Sequence, residues 1–308
     1  MKKIDLHVSL EGSINIAHAN NLMSVETRNV LIKKDAEDLE SYLRGYELAI
    51  RLMQKRENLL EFTKLLVEDL VNDDIVYAEI HFCPLRFTTL MSVDEVMQTI
   101  IEGIDNPNIK IKLVLEMQRE YTLTKNLSIV KIAKTYADYV GGLSLVGDEQ
   151  LYKTATFRQL FEIIKIDNIP FSIEAISPES VLLAAEFGAR RIVNGVNAIT
   201  NEEVLNCISM ANTYVELAPT CNIDSKICDG MDGYPIELIR SHGVKSYISV
   251  PNRTTSNTTL TDEYKLLKDI YKYLNKDLLE YILNGVDAAF IGTSEKAELK
   301  FLMQKNKV

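Results

Sequence analysis

IVYAEIHF, residues 75–82, is the stretch from which the fold is read. It is a short run rich in β-branched and aromatic residues, flanked on both sides by longer helical patterns, and it has counterparts along the whole chain. Upstream lies IDLHVS (4–9). Downstream follow IKLVLEM (111–117), GGLSLV (141–146), IPFSIEAI (169–176), RRIVNGV (190–196), TYVELAP (213–219) and VKSYISV (244–250). Strand-like runs alternating with helical patterns build βαβ units and hence a parallel sheet. Eight of them close most simply into an α/β (β/α)8 TIM-type barrel, with functional residues at the carboxyl ends of the strands. The expectation is one such domain spanning residues 1–308.

The interval between residues 9 and 75 is too long for a single helix, so extra helices are expected after strand one. A similar surplus follows strand eight, where TDEYKLLKDIYKYL (261–274) and SEKAELKFLMQ (294–304) read as two further amphipathic helices. In the first surplus, Leu39, Tyr42, Leu43 and Tyr46 fall at i, i+3, i+4 and i+7, which puts four large side chains on one helix face. Taken alone, that stripe reads as ordinary core more readily than as the wall of a ligand site.

Hydrophobic residues make up 46% of the chain and charged residues 25%, a balance that supplies a sizeable core and excludes a disordered protein. The formal charge of −10 comes without any Lys/Arg block, which argues against nucleic acid and anionic membrane as partners. Cys83, Cys207, Cys221 and Cys228 form no C-x-x-C pair, so they read as reduced thiols. No apolar stretch reaches the ~18 to 20 residues that span a bilayer, and MKKIDLHVSLEG is too polar for a signal peptide. A cytoplasmic protein is expected.

At the expected barrel mouth, His7 and Ser9 lie two apart on strand one and face the same side. A metal-binding strand would carry H-x-H there, because two imidazoles on one face reach a single ion. Ser9 breaks the pattern, and a lone His7 reads as a hydrogen-bonded core histidine. His18, His81 and His242 make no metal-binding spacing with one another. Glu79, His81, Glu116, Arg119, Glu120, Asp148, Glu149 and Glu174 are the other ionisable rim residues, open to acid/base roles or to plain ion pairing. Gly147, after strand four, leaves room for a ligand to approach the backbone.

Taken together, these strand ends resemble the adenosine deaminase family. KIDLHVSLEGSI is similar to its first-strand pattern H-x-H-L-[DE]-G-[SA], IVYAEIHFCP to its second strand and GLSLVGDE to its fourth. PESVLLAAEFGARRIVNGV is similar to its fifth-to-sixth connection, VELAPTCN to its seventh strand and NTTLTDEY to the segment after its eighth. The resemblance implies a (β/α)8 barrel that uses one zinc ion to replace the 6-amino group of adenosine with water.

Carried over residue by residue, the resemblance implies a degenerate site. Among the zinc positions His7 remains, but Ser9, Glu174 and Pro251 stand where His, His and Asp would be. Ser177 stands for the proton-shuttling glutamate, Asn194 for the histidine that orients the attacking hydroxide, and Asn252 for the second aspartate of strand eight. Contact positions fare better: Glu11 matches the acidic ribose contact, Gly147 the backbone purine contact, and Leu39, Tyr42, Leu43 and Tyr46 the helix that lids the pocket. Glu174 joins them as a ligand-binding candidate.

A catalytic zinc takes three or more protein ligands, and His7 with Glu174 supplies too few. The expectation is therefore a pseudoenzyme without metal, in which His7 and Glu174 hydrogen-bond to one another directly or through water. It would bind a purine nucleoside or related small molecule, or act as a homo-oligomer or as the companion of an active paralogue. The alternative is an active purine nucleoside deaminase or hydrolase with an altered site built from His7, Glu174 and carboxylates such as Glu116, with zinc as its cofactor.

Overall fold

Eight parallel strands form one sheet in the order of the chain: β1 (Lys3–Ser9), β2 (Ile75–Phe82), β3 (Lys110–Gln118), β4 (Val140–Val146), β5 (Phe171–Glu174), β6 (Arg191–Val193), β7 (Tyr214–Leu217) and β8 (Ser246–Ile248). The structure is a computed structural model describing residues 1–34 and 36–305. Ladders run from β1·β2 to β7·β8, and Ser9 N–H donates to Pro251 O at 2.8 Å where the last strand meets the first. The result is the expected (β/α)8 barrel. Strands β5 to β8 are shorter than their sequence runs, because the backbone leaves the ladder early. Asn194 turns β6 out with φ +59°, and Pro219, which has no N–H to donate, opens a helix directly after β7.

Among the described residues between β1 and β2 lie four α-helices, α1 (Ile16–Met23), α2 (Arg28–Leu31), α3 (Leu39–Leu52) and α4 (Arg56–Asn72). A capping box starts α3: Ser41 N–H donates to Asp38 Oδ1 at 2.7 Å and Asp38 N–H to Ser41 Oγ at 3.1 Å. Then come α5 (Val93–Gly103), α6 (Leu123–Thr135), α7 (Arg158–Ile166), α8 (Pro178–Glu186), α9 (Glu202–Met210), α10 (Pro219–Asp224) and α11 (Ile236–Ser241). After β8 the described residues form three helices, not two: α12 (Leu260–Tyr271), α13 (Asn275–Ala288) and α14 (Thr293–Lys305). Lys272, at φ +57°, ends α12 before the run read as one helix is complete. The missed α13 buries Leu278, Ile282 and Val286 at i, i+4 and i+8 and packs on β8 and β1. Its period was present in the sequence. No helix among the described residues is long and apolar enough to cross a membrane.

Alternation within β2 sends Ala78, Ile80 and Phe82 outward and Tyr77, Glu79 and His81 into the barrel. Glu79 meets Arg191 of β6 across the interior at 2.6 Å, both side chains essentially without exposure. Tyr77 Oη donates to Glu79 at 2.8 Å and the Phe290 N–H at 2.7 Å, while the guanidinium lies 3.6 Å over the Phe290 ring. This ionic plug fills the barrel floor, and His81, two residues further along β2, stands above it at the mouth.

Candidate metal centre and its surroundings

His7, His81 and Glu116 project inward from β1, β2 and β3. The register pairs Ser9 with His81 and His81 with Val114, so His7 and Glu116 each lie two residues, one inward-facing step, from a residue aligned with His81. One ligand atom from each comes within 4.8 Å of the others. The two rings are in contact, with centroids 4.2 Å apart. Each imidazole has its outer nitrogen committed to the protein. His7 Nδ1 lies 2.9 Å from Glu216 Oε2, and His81 Nε2 lies 3.0 Å from the Leu6 carbonyl. Carbonyl and carboxylate oxygens only accept, so both outer nitrogens are the donors. The opposite nitrogens, Nε2 of His7 and Nδ1 of His81, are therefore the ones left to a ligand.

The electrostatics fit the His81 tautomer. Burial, reinforced by neighbouring His7 and Arg191, pushes the His81 pKa well below the usual imidazole range, so the ring is neutral and Nδ1 carries a lone pair. That atom is buried and has no hydrogen-bond partner, a costly state for a protein interior. For His7, burial alone would lower the pKa, but the adjacent Glu216 and Glu116 outweigh it and raise it. Burial, followed by the charge of Glu11, pushes the Glu116 carboxyl up to about 8. A neutral imidazole with an orphaned lone pair, a second imidazole fixed by a carboxylate and a carboxyl short of a cation are three donors suited to a divalent ion.

The remaining rim positions are held by one another. Glu174, at the end of β5, accepts from the Gly147 N–H at 3.1 Å and from Asn194 Nδ2 at 2.6 Å. Asn194 Oδ1 in turn accepts from Asn222 Nδ2 at 3.1 Å. His7 and Glu174, expected to bond directly or through water, make no direct bond: His7 bonds Glu216, and both Glu174 oxygens are engaged on the β4–β6 side. Ser177 caps α8 by accepting from Ser180 N–H at 3.3 Å, and Glu149 accepts the Ile176 and Ser177 N–H groups at 2.8 and 2.7 Å. Pro251 offers its carbonyl to Ser9.

Ser9 Oγ donates to Glu11 Oε2 at 3.4 Å, while Glu11 Oε1 is buried without a partner. Burial raises the Glu11 pKa, against the opposing charge of Arg86. Over these residues lies α3. Tyr46 Oη donates to Asn252 Oδ1, and Tyr42 Oη is 2.9 Å from Ser256 Oγ. Leu43 lies on the exposed side of the helix, and the Leu39 side chain lies outside the described residues.

Residues 3–305 match the family model "Adenosine deaminase". The chain belongs to the adenosine deaminase family. A curated adenosine deaminase of Haemophilus ducreyi is 32% identical, covering 96% of this chain and 94% of the relative. Among solved structures, Arabidopsis ADAL complexed with IMP is similar with a TM-score of 0.88 at 21% identity, over 99% of this chain and 96% of that one. A cog1816 amidohydrolase from Burkhoderia ambifaria, with bound Zn, gives a TM-score of 0.84 at 17% identity, over 99% and 90%.

Within this family the expectation of a stripped, metal-free pseudoenzyme is overturned by the cluster of His7, His81 and Glu116. The reading of no cofactor went wrong because it tested only the family positions His7, Ser9, Glu174 and Pro251. Of these only His7 belongs to the cluster; the other two donors come from β2 and β3. His81 was set aside for lack of a sequence motif, although ligands on three different strands need none. Glu216 was not singled out at all. Its signal was a lone carboxylate in the apolar run YVEL of β7, buried on every side.

Proposed function

We propose that the protein is a metal-dependent hydrolase that deaminates a purine-type cyclic amidine, with its metal site moved toward β2 and β3. The observation carrying this reading is the meeting of His7, His81 and Glu116 ligand atoms within 4.8 Å. Three protein ligands with an open fourth position is the arrangement of catalytic zinc sites, and two His with one Glu is among the donor sets they use. The Haemophilus ducreyi relative is an adenosine deaminase, the Arabidopsis neighbour is complexed with IMP and the Burkhoderia neighbour has bound Zn. These support a purine ligand and zinc.

When bound, a zinc ion supplies Lewis-acid activation of water, whose pKa falls from ~15.7 toward ~7. The residues of the chain do the rest. Glu216 holds a proton on His7 Nδ1 and so keeps Nε2 available, and Leu6 O does the same for His81 through its Nε2 proton. Glu11 and Glu174 flank the ligand, the Gly147 backbone marks its far edge, and Tyr42 and Tyr46 exclude water from above. Ser177, Asn194 and Asn252 position these groups and transfer no proton.

Purified protein should retain about one equivalent of zinc per chain and release ammonia from adenosine, AMP or a related aminopurine. Elemental analysis and an ammonia assay check this together. His81→Ala and Glu116→Gln should each remove the metal and the turnover. Full activity in both variants would sink the assignment.

A further inference from the structure

We infer that the barrel mouth selects a ligand that arrives positively charged and rich in N–H donors, a cyclic amidinium, over a neutral or phosphorylated counterpart. This rests on the reading of the barrel mouth as the substrate site. Most donors facing Glu174 and Asn252 are already engaged, while Gln118 Nε2 and Arg119 Nε are buried without a hydrogen-bond partner. Gly147 N–H and Asn194 Nδ2 both point at Glu174, Asn222 Nδ2 at Asn194, and Tyr46 Oη at Asn252. The two nearby guanidiniums are partly engaged. Arg86 bonds Glu47 through Nη2 at 2.7 Å. Arg119 gives Nη1 to Tyr152 O and Thr154 Oγ1, both at 3.0 Å, and Nη2 to the Glu174 carbonyl at 2.6 Å.

Acceptors, by contrast, remain open. Glu11 is only 3% exposed, and its Oε1 has no hydrogen-bond partner. The half-buried Glu174 has one bond on each oxygen, although a carboxylate oxygen accepts two. Both carboxylates therefore lack donors, and a buried acceptor left unmatched costs about 1 to 3 kcal/mol, more when charged. Charge points the same way. A divalent ion among His7, His81 and Glu116 is matched by Glu116 and by Glu216 behind His7. Arg86 acts on Glu11 but is shared with Glu47, and Arg119 acts on Glu174 but is shared with Glu149 and Asp148, so the mouth keeps an excess of negative charge. A planar amidinium edge satisfies two carboxylate acceptors with charge-assisted bonds. A phosphate adds acceptors and negative charge where both are already in excess.

The test is a binding titration of the full-length, metal-analysed protein with three ribosides: adenosine, 1-methyladenosine, whose ring is cationic near neutral pH, and AMP. We expect 1-methyladenosine to bind about tenfold or more tightly than adenosine, and AMP about tenfold or more weakly. In Glu11→Gln, which keeps shape and removes charge, the preference for the cation should shrink to within about threefold, with Glu174→Gln as an independent second variant. Equal affinities, tighter binding of AMP, no binding of any of the three, or an undiminished preference in both variants overturns the inference. Because the readout is affinity, protein lacking zinc or turnover but keeping the cation preference defeats the enzymatic reading and leaves this one standing.

Discussion

His7 sits between two carboxylates of different standing. Glu216, behind it, bonds Nδ1 at 2.9 Å; Glu116, in front, belongs to the ligand cluster. A partner behind a ligating imidazole fixes its tautomer and ring angle and raises its basicity, and losing such a partner typically costs ~10 to 100-fold in metal affinity. Glu216→Gln keeps the volume and one acceptor oxygen but removes the charge. Its zinc affinity, measured by competition with a chromophoric chelator, should fall by about 10-fold or more with the secondary structure unchanged. Wild-type affinity in this variant would show that Glu216 does not support a ligand. At this scale the sequence was only partly legible. His7 and Glu116 were on the list of rim residues, and so was His81. Their convergence depends on the register of β1, β2 and β3, which no linear spacing displays.

A substitution at one glycine probes how α3 is held over the mouth. A Cβ at Gly12 would strike the Asn252 side chain and approach the Tyr46 hydroxyl at 2.8 Å, the two groups that join α3 to the loop after β8. Gly12→Ala should therefore push the helix outward, at a cost of about 1 to 3 kcal/mol for overpacking. Limited proteolysis within residues 28–52 should accelerate relative to wild type, whereas unchanged cleavage would mean α3 is anchored elsewhere. The helix was legible from its spacing; Tyr42 and Tyr46 bond Ser256 and Asn252 of the loop after β8, whereas Leu43 is exposed, since a stripe wider than the contact leaves its margin in solvent. The number of helices after β8 was misjudged for a related reason. Lys272 breaks what looks like one continuous amphipathic run, and the more deeply buried α13 that follows was left unread.

The barrel as a whole was legible because alternating strand and helix periods admit few other closures, and the eight runs identified are the eight strands observed. What no local pattern conveys is the pairing across its interior. Glu79 and Arg191 come from β2 and β6, strands that share no ladder, and meet at 2.6 Å, with Phe290 after α13 touching both. Their deletion should be asymmetric. Glu79→Gln leaves a guanidinium buried without an anion, for which the loss is about 3 to 5 kcal/mol. In Arg191→Met the Glu79 carboxylate still accepts from Tyr77 Oη and the Phe290 N–H, and the methionine can pack on the Phe290 ring. Both donors sit on Oε1 and leave Oε2 bare, but a buried carboxyl can be neutralised by a proton whereas a guanidinium cannot lose one, so that loss should be smaller, about 1 to 3 kcal/mol. The double variant Glu79→Gln with Arg191→Met removes both charges and should recover much of the stability that Glu79→Gln alone loses. Urea unfolding followed by circular dichroism of all three variants closes the cycle. Equal losses in the two single variants, or a double variant no more stable than Glu79→Gln, would mean that the β2–β6 pair is not what joins the two sides of the barrel beneath the metal site.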